Sequence, residues 1–407
     1  MSALTVLATT PAAGCPTMSA AGAAFRRIAA ACALAVLTAT GAAAETCGEG
    51  SVRVAGTCKP VAEVAGQVRS ILVRGMSELD LKSVIASVRI GDTPILTEAW
   101  GESMTGVPAT VDMHFRNGAV AIAYLSTVLL QMVDARQLGL DDRLAKWFPE
   151  LPGADEITLR MLINSTSGYA DYVNLDILPL YEDPFRQWTP RELIDLGVAQ
   201  PMRCDPGTCF AYAHTNFVIL GEVLARAAGK PVEVLIREGI LEPLGLANTR
   251  SETTAAIQAP VLHAFTAERG VYEDSTYWNP SWTLAAGAIM TTSIADMLAS
   301  GIAIGSGALL TPELSTAQLA LAVPVMPGFS EDFHFGLGVI RLSGWVAQTP
   351  SFAGYAAAMA YLPAGRIALA VTATMNEATP DSPRPTDVLF GRIARYLAPD
   401  NVPRISR

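Results

Sequence analysis

Two hydrophobic rhythms divide the chain. Residues 67–76 carry apolar side chains at helical spacing, whereas residues 84–90 and 94–100 read as two strands around the turn Gly91-Asp92. Residues 119–135 are almost continuously apolar. A helix of that length falls short of the roughly 20 residues that span a bilayer, and Asp134 and Arg136 stand at its end, so it is expected to be buried in a protein core. Between residues 141 and 299 the signals are mostly helical. They include Thr189-Pro190-Arg191-Glu192, where Thr caps, Pro takes the first turn and Glu completes a capping box. From residue 333 onward the strand pattern returns over residues 335–342, 357–362 and 367–374, punctuated by turns such as Pro363-Ala364-Gly365. Residues 386–398 close as an amphipathic helix. Strands at both ends with helices between them predict an α/β fold: one mixed sheet of sequence-distant strands with a helical lobe inserted on one side.

No repeat, linker or charge run breaks this pattern, so one two-lobed domain is expected over residues 65–400. It follows a segment at 45–64 that holds a cysteine pair and precedes a tail at 401–407. With 51% hydrophobic and 16% charged residues, the 407-residue chain can bury a large core. A formal net charge of −10 argues against nucleic acid as a partner, because that binding rests on clustered Lys and Arg.

If translation starts at Met18, the first residues form an export signal: Arg26 and Arg27 are its positive region, residues 28–40 its apolar stretch, and Ala42-Ala43-Ala44 its cleavage site. Residues 1–44 are then signal peptide and upstream residues. The mature chain is expected to be periplasmic or secreted, with no transmembrane segment. The arginine pair also fits twin-arginine export. Loss of the signal leaves Cys47, Cys58, Cys204 and Cys209, an even number in an oxidising compartment. Of the three connectivities, the favoured one is sequence-local, Cys47 with Cys58 and Cys204 with Cys209. Zinc ligation is the weaker reading, since neither pair has Cys-x-x-Cys spacing. His114, His263 and His334 are dispersed, and no metal or other cofactor is expected.

The candidate chemistry lies in a series of short motifs. Phe115-Arg116-Asn117-Gly118-Ala119-Val120-Ala121-Ile122 leads into the apolar helix, and Leu138-Gly139-Leu140-Asp141-Asp142 follows it. Next come Ser165-Thr166-Ser167-Gly168-Tyr169, then Pro206-Gly207-Thr208 through Tyr212-Ala213-His214-Thr215-Asn216, then Glu242-Pro243-Leu244-Gly245-Leu246. Gly287, Phe335-Gly336-Leu337-Gly338 and Gly354-Tyr355 complete the series. In this order they resemble the serine β-lactamase and penicillin-binding-protein family, including class C β-lactamases, D-alanyl-D-alanine carboxypeptidases and related esterases. The resemblance implies the β-lactamase/transpeptidase-like fold, a mainly antiparallel mixed sheet flanked by helices, with an active-site cleft between its lobes.

Active members of that family bring together Ser-x-x-Lys at the start of the buried helix, Tyr-x-Asn on a loop, and a basic or His-x-Gly-like motif on an edge strand. A serine hydroxyl is a poor nucleophile near neutrality, so a Lys one helical turn away and a Tyr help to remove its proton. In this chain the resemblance places Ala119 at the serine and Ile122 at the lysine. The absence of Ser-x-x-Lys does not depend on that alignment. The four lysines, Lys59, Lys82, Lys146 and Lys230, follow Gly56, Leu79, Arg143 and Ala227 at the required spacing, none of them serine. Tyr212 is retained, His214 stands in place of Asn, and Gln348-Thr349-Pro350 occupies the third motif.

Other serines offer no replacement. Ser126 lies about two helical turns, ~10.5 Å, deeper than Ala119. Ser165 and Ser167 belong to a packing loop, and no Gly-x-Ser-x-Gly elbow occurs. The leading expectation is an exported protein without acyl-transfer activity. It would bind a small molecule or peptide, such as a peptidoglycan fragment or acyl compound, in a cleft lined by Ala119, Ile122, Tyr212, His214 and Gln348. A hydrolase that uses an unfamiliar nucleophile, or a water assisted by Tyr212 and His214, is the second expectation. A structural envelope protein is the third.

Overall fold

The computed structural model describes residues 47–173, 179, 181–251, 253–322, 326–379 and 384–403. The proposed signal peptide lies outside them. The described part of the chain begins with a hairpin of β1 (Ser51–Val54) and β2 (Thr57–Pro60), tied by the Cys47–Cys58 disulfide with its Cα atoms 5.5 Å apart. Helix α1 spans Val61–Glu78, longer at both ends than the core of its periodicity. Its buried face is Val64, Val68 and Leu72, at the i, i+4, i+8 spacing that lines up one side of a helix.

The strands β3 (Leu81–Ile90), β4 (Thr93–Met104) and β5 (Val107–Pro108) form one part of the main sheet. The C-terminal part supplies β6 (Phe333–Phe335), β7 (Ile340–Leu342), β8 (Trp345–Gln348), β9 (Ser351–Phe352), β10 (Tyr355–Leu362) and β11 (Ile367–Met375). Among the described residues the order is β6-β7-β8-β10-β11-β3-β4-β5, with β9 paired to β10. The two sets of strands meet inside this sheet, where Val371 of β11 lies opposite Ala86 of β3. Every ladder in it is antiparallel, and among the described residues the single parallel pairing is the isolated bridge between His114 and Val261.

Strand alternation splits the core in two. Val84, Ala86, Leu369 and Val371 face a cluster completed by Leu72, Leu389 and Phe390, whereas Ile85 and Ala370 face a cluster with Leu125, Phe217 and Met297. Each large apolar side chain withdrawn this way contributes roughly 1.5–3 kcal/mol. On the first face α1 packs against the closing helix, Pro385–Leu397, closely enough that a Cβ on Gly75 would lie 2.3 Å from Leu389 Cδ2. The second face carries helix α2 (Val120–Asp134), which is buried on all sides from Val120 to Leu130 because protein surrounds it there.

In the inserted lobe, the expected capping box holds helix α3 (Pro190–Val198): Glu192 N–H donates to Thr189 Oγ1, and Thr189 N–H donates to Glu192 Oε2 at 2.8 Å. Helix α4 (His214–Ala228) lies behind the cleft. The lobe is less helical than its pattern predicts. Residues 164–188 and 252–279 contain no helix among the described residues, because their Gly, Pro, Asp and Ser residues bond locally as turns. The strand expected over residues 335–342 is also interrupted. Residues 336–339 form a turn with Gly338 at φ +72°, where a Cβ would lie 2.7 Å from Ser126 Cβ.

Candidate ligand-binding cleft

The floor of the cleft is the start of α2. Gly118 adopts φ +50°, and a Cβ there would lie 2.7 Å from Pro350 Cβ, so only glycine lets this turn meet the end of β8. Ala119 follows as the residue capping α2 and lines the cleft. Ile122, one turn further on, does not. It has no exposed surface and belongs to the core, which corrects the expectation that it lines the site. Val120, Ala121 and Ile122 are all without exposed surface, so of this helix start only Gly118 and Ala119 reach the cleft. Ser126 is fully buried, donating from Oγ to the Leu337 carbonyl at 2.5 Å and accepting from Gln318 Nε2.

A second wall is set by the loop before α4. The Cys204–Cys209 disulfide, Cα atoms 6.2 Å apart, closes a small ring. Gly207 N–H donates to Thr166 O at 2.8 Å and Ala211 N–H to Ser165 O at 2.9 Å, so residues 165–168 act as a backbone template. Ser167 Oγ donates to Asn216 Oδ1 at 2.5 Å. Ser165 and Ser167 are both fully buried and face away from the cleft. The loop delivers Phe210, Tyr212 and His214 to the wall, and His214 opens helix α4 rather than lying on a loop. The rings of Tyr212 and His214 meet edge to face with centroids 5.3 Å apart, so both share this site.

Gln348 reaches the third side at the end of β8. It is 2% exposed, and its Nε2 donates to Gly338 O at 2.7 Å, so its donor secures the turn between β6 and β7. Above these elements stand two aromatic groups. Phe210 packs 4.8 Å from Phe329 and 5.7 Å from Phe335, while Trp282 stacks on Phe352 at 5.5 Å. They enclose a cleft of about 530 Å³. A space of that size, mostly apolar with a few convergent polar groups, suits a small organic ligand.

The polar groups are specific. His214 Nδ1 lies 3.1 and 3.0 Å from the two carboxylate oxygens of Asp171, and Asp171 Oδ1 also accepts the backbone N–H groups of His214 and Val173 at 3.1 Å. Burial raises the Tyr212 phenol above its ordinary range and the Asp171 charge adds to this, against a smaller opposing effect of Arg384. The ring shows 36% of its surface, but into a concavity rather than open solvent, so ionisation stays disfavoured and the hydroxyl remains a donor. Arg384 lines the rim, held by Thr349 O at 2.7 Å and Asp387 Oδ2 at 2.9 Å. His334 also lines the wall, with each ring nitrogen within 2.9 Å of a backbone carbonyl, Ser330 O or Leu319 O. His114 and His263 contact Pro260 O and Asp274 elsewhere, and no group of three potential metal ligands occurs among the described residues.

The sequence motifs thus lead to Ala119, Tyr212, His214 and Gln348, which the fold brings together. Sequence reasoning missed Asp171, 43 residues before its imidazole partner, and the aromatic walls, whose members lie on four separated segments. The Asp171 signal was weak: one acid shortly after Ser167-Gly168-Tyr169, with nothing in its spacing to name a partner.

The family model described as Beta-lactamase matches residues 68–391. Penicillin-binding protein 4 of Amycolatopsis lactamdurans is 30% identical over 171 residues, 41% of this chain and 43% of its own, so the chain spans less than half of that relative. D-amino acid amidase from Ochrobactrum anthropi SV3, solved with L-phenylalanine amide, superposes with a TM-score of 0.69 at 22% identity, covering 78% of this chain and 92% of its own. A D-stereospecific amidohydrolase from Streptomyces sp. superposes with a TM-score of 0.71 at 23% identity, covering 83% and 99%. At these identities the two structures establish a shared fold.

Proposed function

The chain belongs to the Beta-lactamase family of serine hydrolases, and from that premise we propose that it has lost serine acyl transfer and uses the former active-site cleft to bind a small ligand. The observation that carries this reading is the Ala119 methyl at the floor of an open, aromatic-walled cleft. Acyl transfer needs a nucleophile that can be deprotonated and a base within reach. A methyl group has no lone pair, and the side chain one turn behind it is a sealed isoleucine. Tyr212, whose phenol is held protonated, is left as a hydrogen-bond donor to whatever occupies the cleft.

The chemistry of the walls narrows the ligand. Phe210, Phe329 and Phe335 on one side and Trp282 with Phe352 on the other suit an acyl chain or an aromatic side chain, and Tyr212 and Arg384 suit a carbonyl or carboxylate. An acyl compound, a short peptide or a peptidoglycan fragment meets both demands. The O. anthropi amidase, solved with an aromatic amino acid amide, is a precedent for a ligand of this size on this fold. The open volume favours a ligand site over a structural role in which side chains fill the cleft.

Export belongs to the same proposal: two disulfides tie the chain, and no helix among the described residues is long and apolar enough to cross a membrane. The test is a melting-temperature screen of the protein against N-acyl amino acids, aromatic amino acid amides and muropeptides. A ligand at 100 times its Kd adds about 2.7 kcal/mol of stability. Phe352→Ala should remove the shift. A screen without any shift, or a shift indifferent to Phe352→Ala, counts against the cleft as the site.

A further inference from the structure

The polar groups of the cleft include one that can still accept a proton. The Asp171 carboxylate is fixed by two backbone N–H groups and meets His214 Nδ1 with both oxygens, which places the ring proton on Nδ1. Nε2 is then the basic nitrogen of the neutral ring. His214 lines the cleft, and its Nε2 bonds to no protein group among the described residues. The other cleft groups are ruled out as acceptors. The Tyr212 phenol is held protonated by burial, both His334 nitrogens lie against backbone carbonyls, and an arginine such as Arg384 stays charged. The Ala119 N–H, also on the cleft floor, donates to no acceptor among the described residues.

We propose that the His214–Asp171 pair activates a water molecule, so that the cleft hydrolyses esters or amides of apolar acyl groups directly, without a covalent intermediate on the protein. The proposal rests on the cleft being a ligand site. Water gives a proton to His214 Nε2 as its oxygen forms a bond to the carbonyl carbon, and the carbonyl π electrons move to oxygen. The Ala119 N–H and the Tyr212 hydroxyl are the donors available to that oxyanion. Collapse of the tetrahedral species breaks the bond to the leaving alcohol or amine. That group takes the proton back from Nε2, giving a carboxylic acid, which ionises, and a neutral leaving group. No oxidant, metal or second substrate is needed. Asp171 is a positioning residue: it fixes the ring and its charge stabilises the imidazolium that forms.

The test uses the purified protein with two probes, p-nitrophenyl butyrate and phenylalanine p-nitroanilide, and reads product release, protein mass and melting temperature. The expected result is turnover of at least one probe with no mass adduct, reduced about 100-fold or more in His214→Ala. Added imidazole should partly restore that variant, which a purely structural role for the ring would not allow. His214→Gln, which keeps a hydrogen-bonding side chain, should melt close to the parent yet turn over as slowly as His214→Ala. Asp171→Asn should slow turnover with little change in KM. A ligand-dependent rise in melting temperature without turnover of either probe overturns this proposal and leaves the binding reading intact. Turnover that survives both His214 substitutions, or that imidazole does not rescue, also overturns it.

Discussion

Ile122→Lys measures how completely the residue one turn after Ala119 is absorbed into the core. Ile122 has no exposed surface, so the substitution first removes isoleucine burial worth about 2–3 kcal/mol, part of which the apolar lysine stem regains. The larger effect is the charge. A buried ammonium is disfavoured, but the amine can always discharge, which caps the electrostatic cost. Discharging a lysine of ordinary pKa at pH 7 means about 3.4 units at 1.36 kcal/mol each, or about 4.6 kcal/mol. The combined loss of roughly 5–6 kcal/mol approaches the whole stability of many domains. Its sign with pH is fixed. The unfolded chain holds a proton that the folded one lacks, so the variant gains on the parent by up to ~1.4 kcal/mol per pH unit between its lowered folded pKa and about 10.4. Urea unfolding followed by tryptophan fluorescence at pH 7 and pH 9 reads this directly: the deficit should shrink by about 2–3 kcal/mol. A deficit under about 1 kcal/mol with no pH dependence would mean that the amine reaches water, and the reasoning that seals Ile122 away from the cleft would be wrong.

Two further substitutions probe the frame of the site. Gly118→Ala forces a Cβ into left-handed backbone against Pro350, and should destabilise the fold by about 1–3 kcal/mol and weaken ligand binding, read by urea unfolding and calorimetry. Burial raises the Glu222 carboxyl on α4, with a smaller opposing effect of Arg226. The folded state then holds its proton longer than the unfolded one, so this group supports stability at low pH and loses that contribution as pH rises through its folded pKa. Glu222→Gln should match the parent below about pH 4 and exceed it at pH 7.5 in urea midpoint; a variant equally stable at both values contradicts the burial of this carboxyl.

What the sequence made legible follows from how far each signal reaches. The two strands around Gly91-Asp92, the buried helix, the capping box at Thr189 and both cysteine pairings depend on neighbours along the chain, and they stand where expected. Short motifs in order were enough to bring Ala119, Tyr212, His214 and Gln348 to one cleft. Errors arose where tertiary geometry overrides pattern. The apolar run through Leu337 and Val339 reads as strand, yet Gly336 and Gly338 turn it against Gln318 and Ser126. Ile122 follows Ala119 by one helical turn and so looks like its partner, but its side chain is sealed in the core, and of this segment only Gly118 and Ala119 line the cleft. The Asp171 contact and the aromatic walls depend on loops whose paths no local periodicity specifies.

The central claim is that a methyl group stands where an attacking hydroxyl is needed, and intact-protein mass spectrometry after exposure to a fluorophosphonate and a penicillin tests it most directly. The parent protein should keep its unmodified mass, and so should Ala119→Ser, because the side chain one turn behind it is sealed in the core and supplies no base to the cleft. A stable adduct on the parent protein would contradict the account, because it would reveal a working nucleophile elsewhere in the cleft.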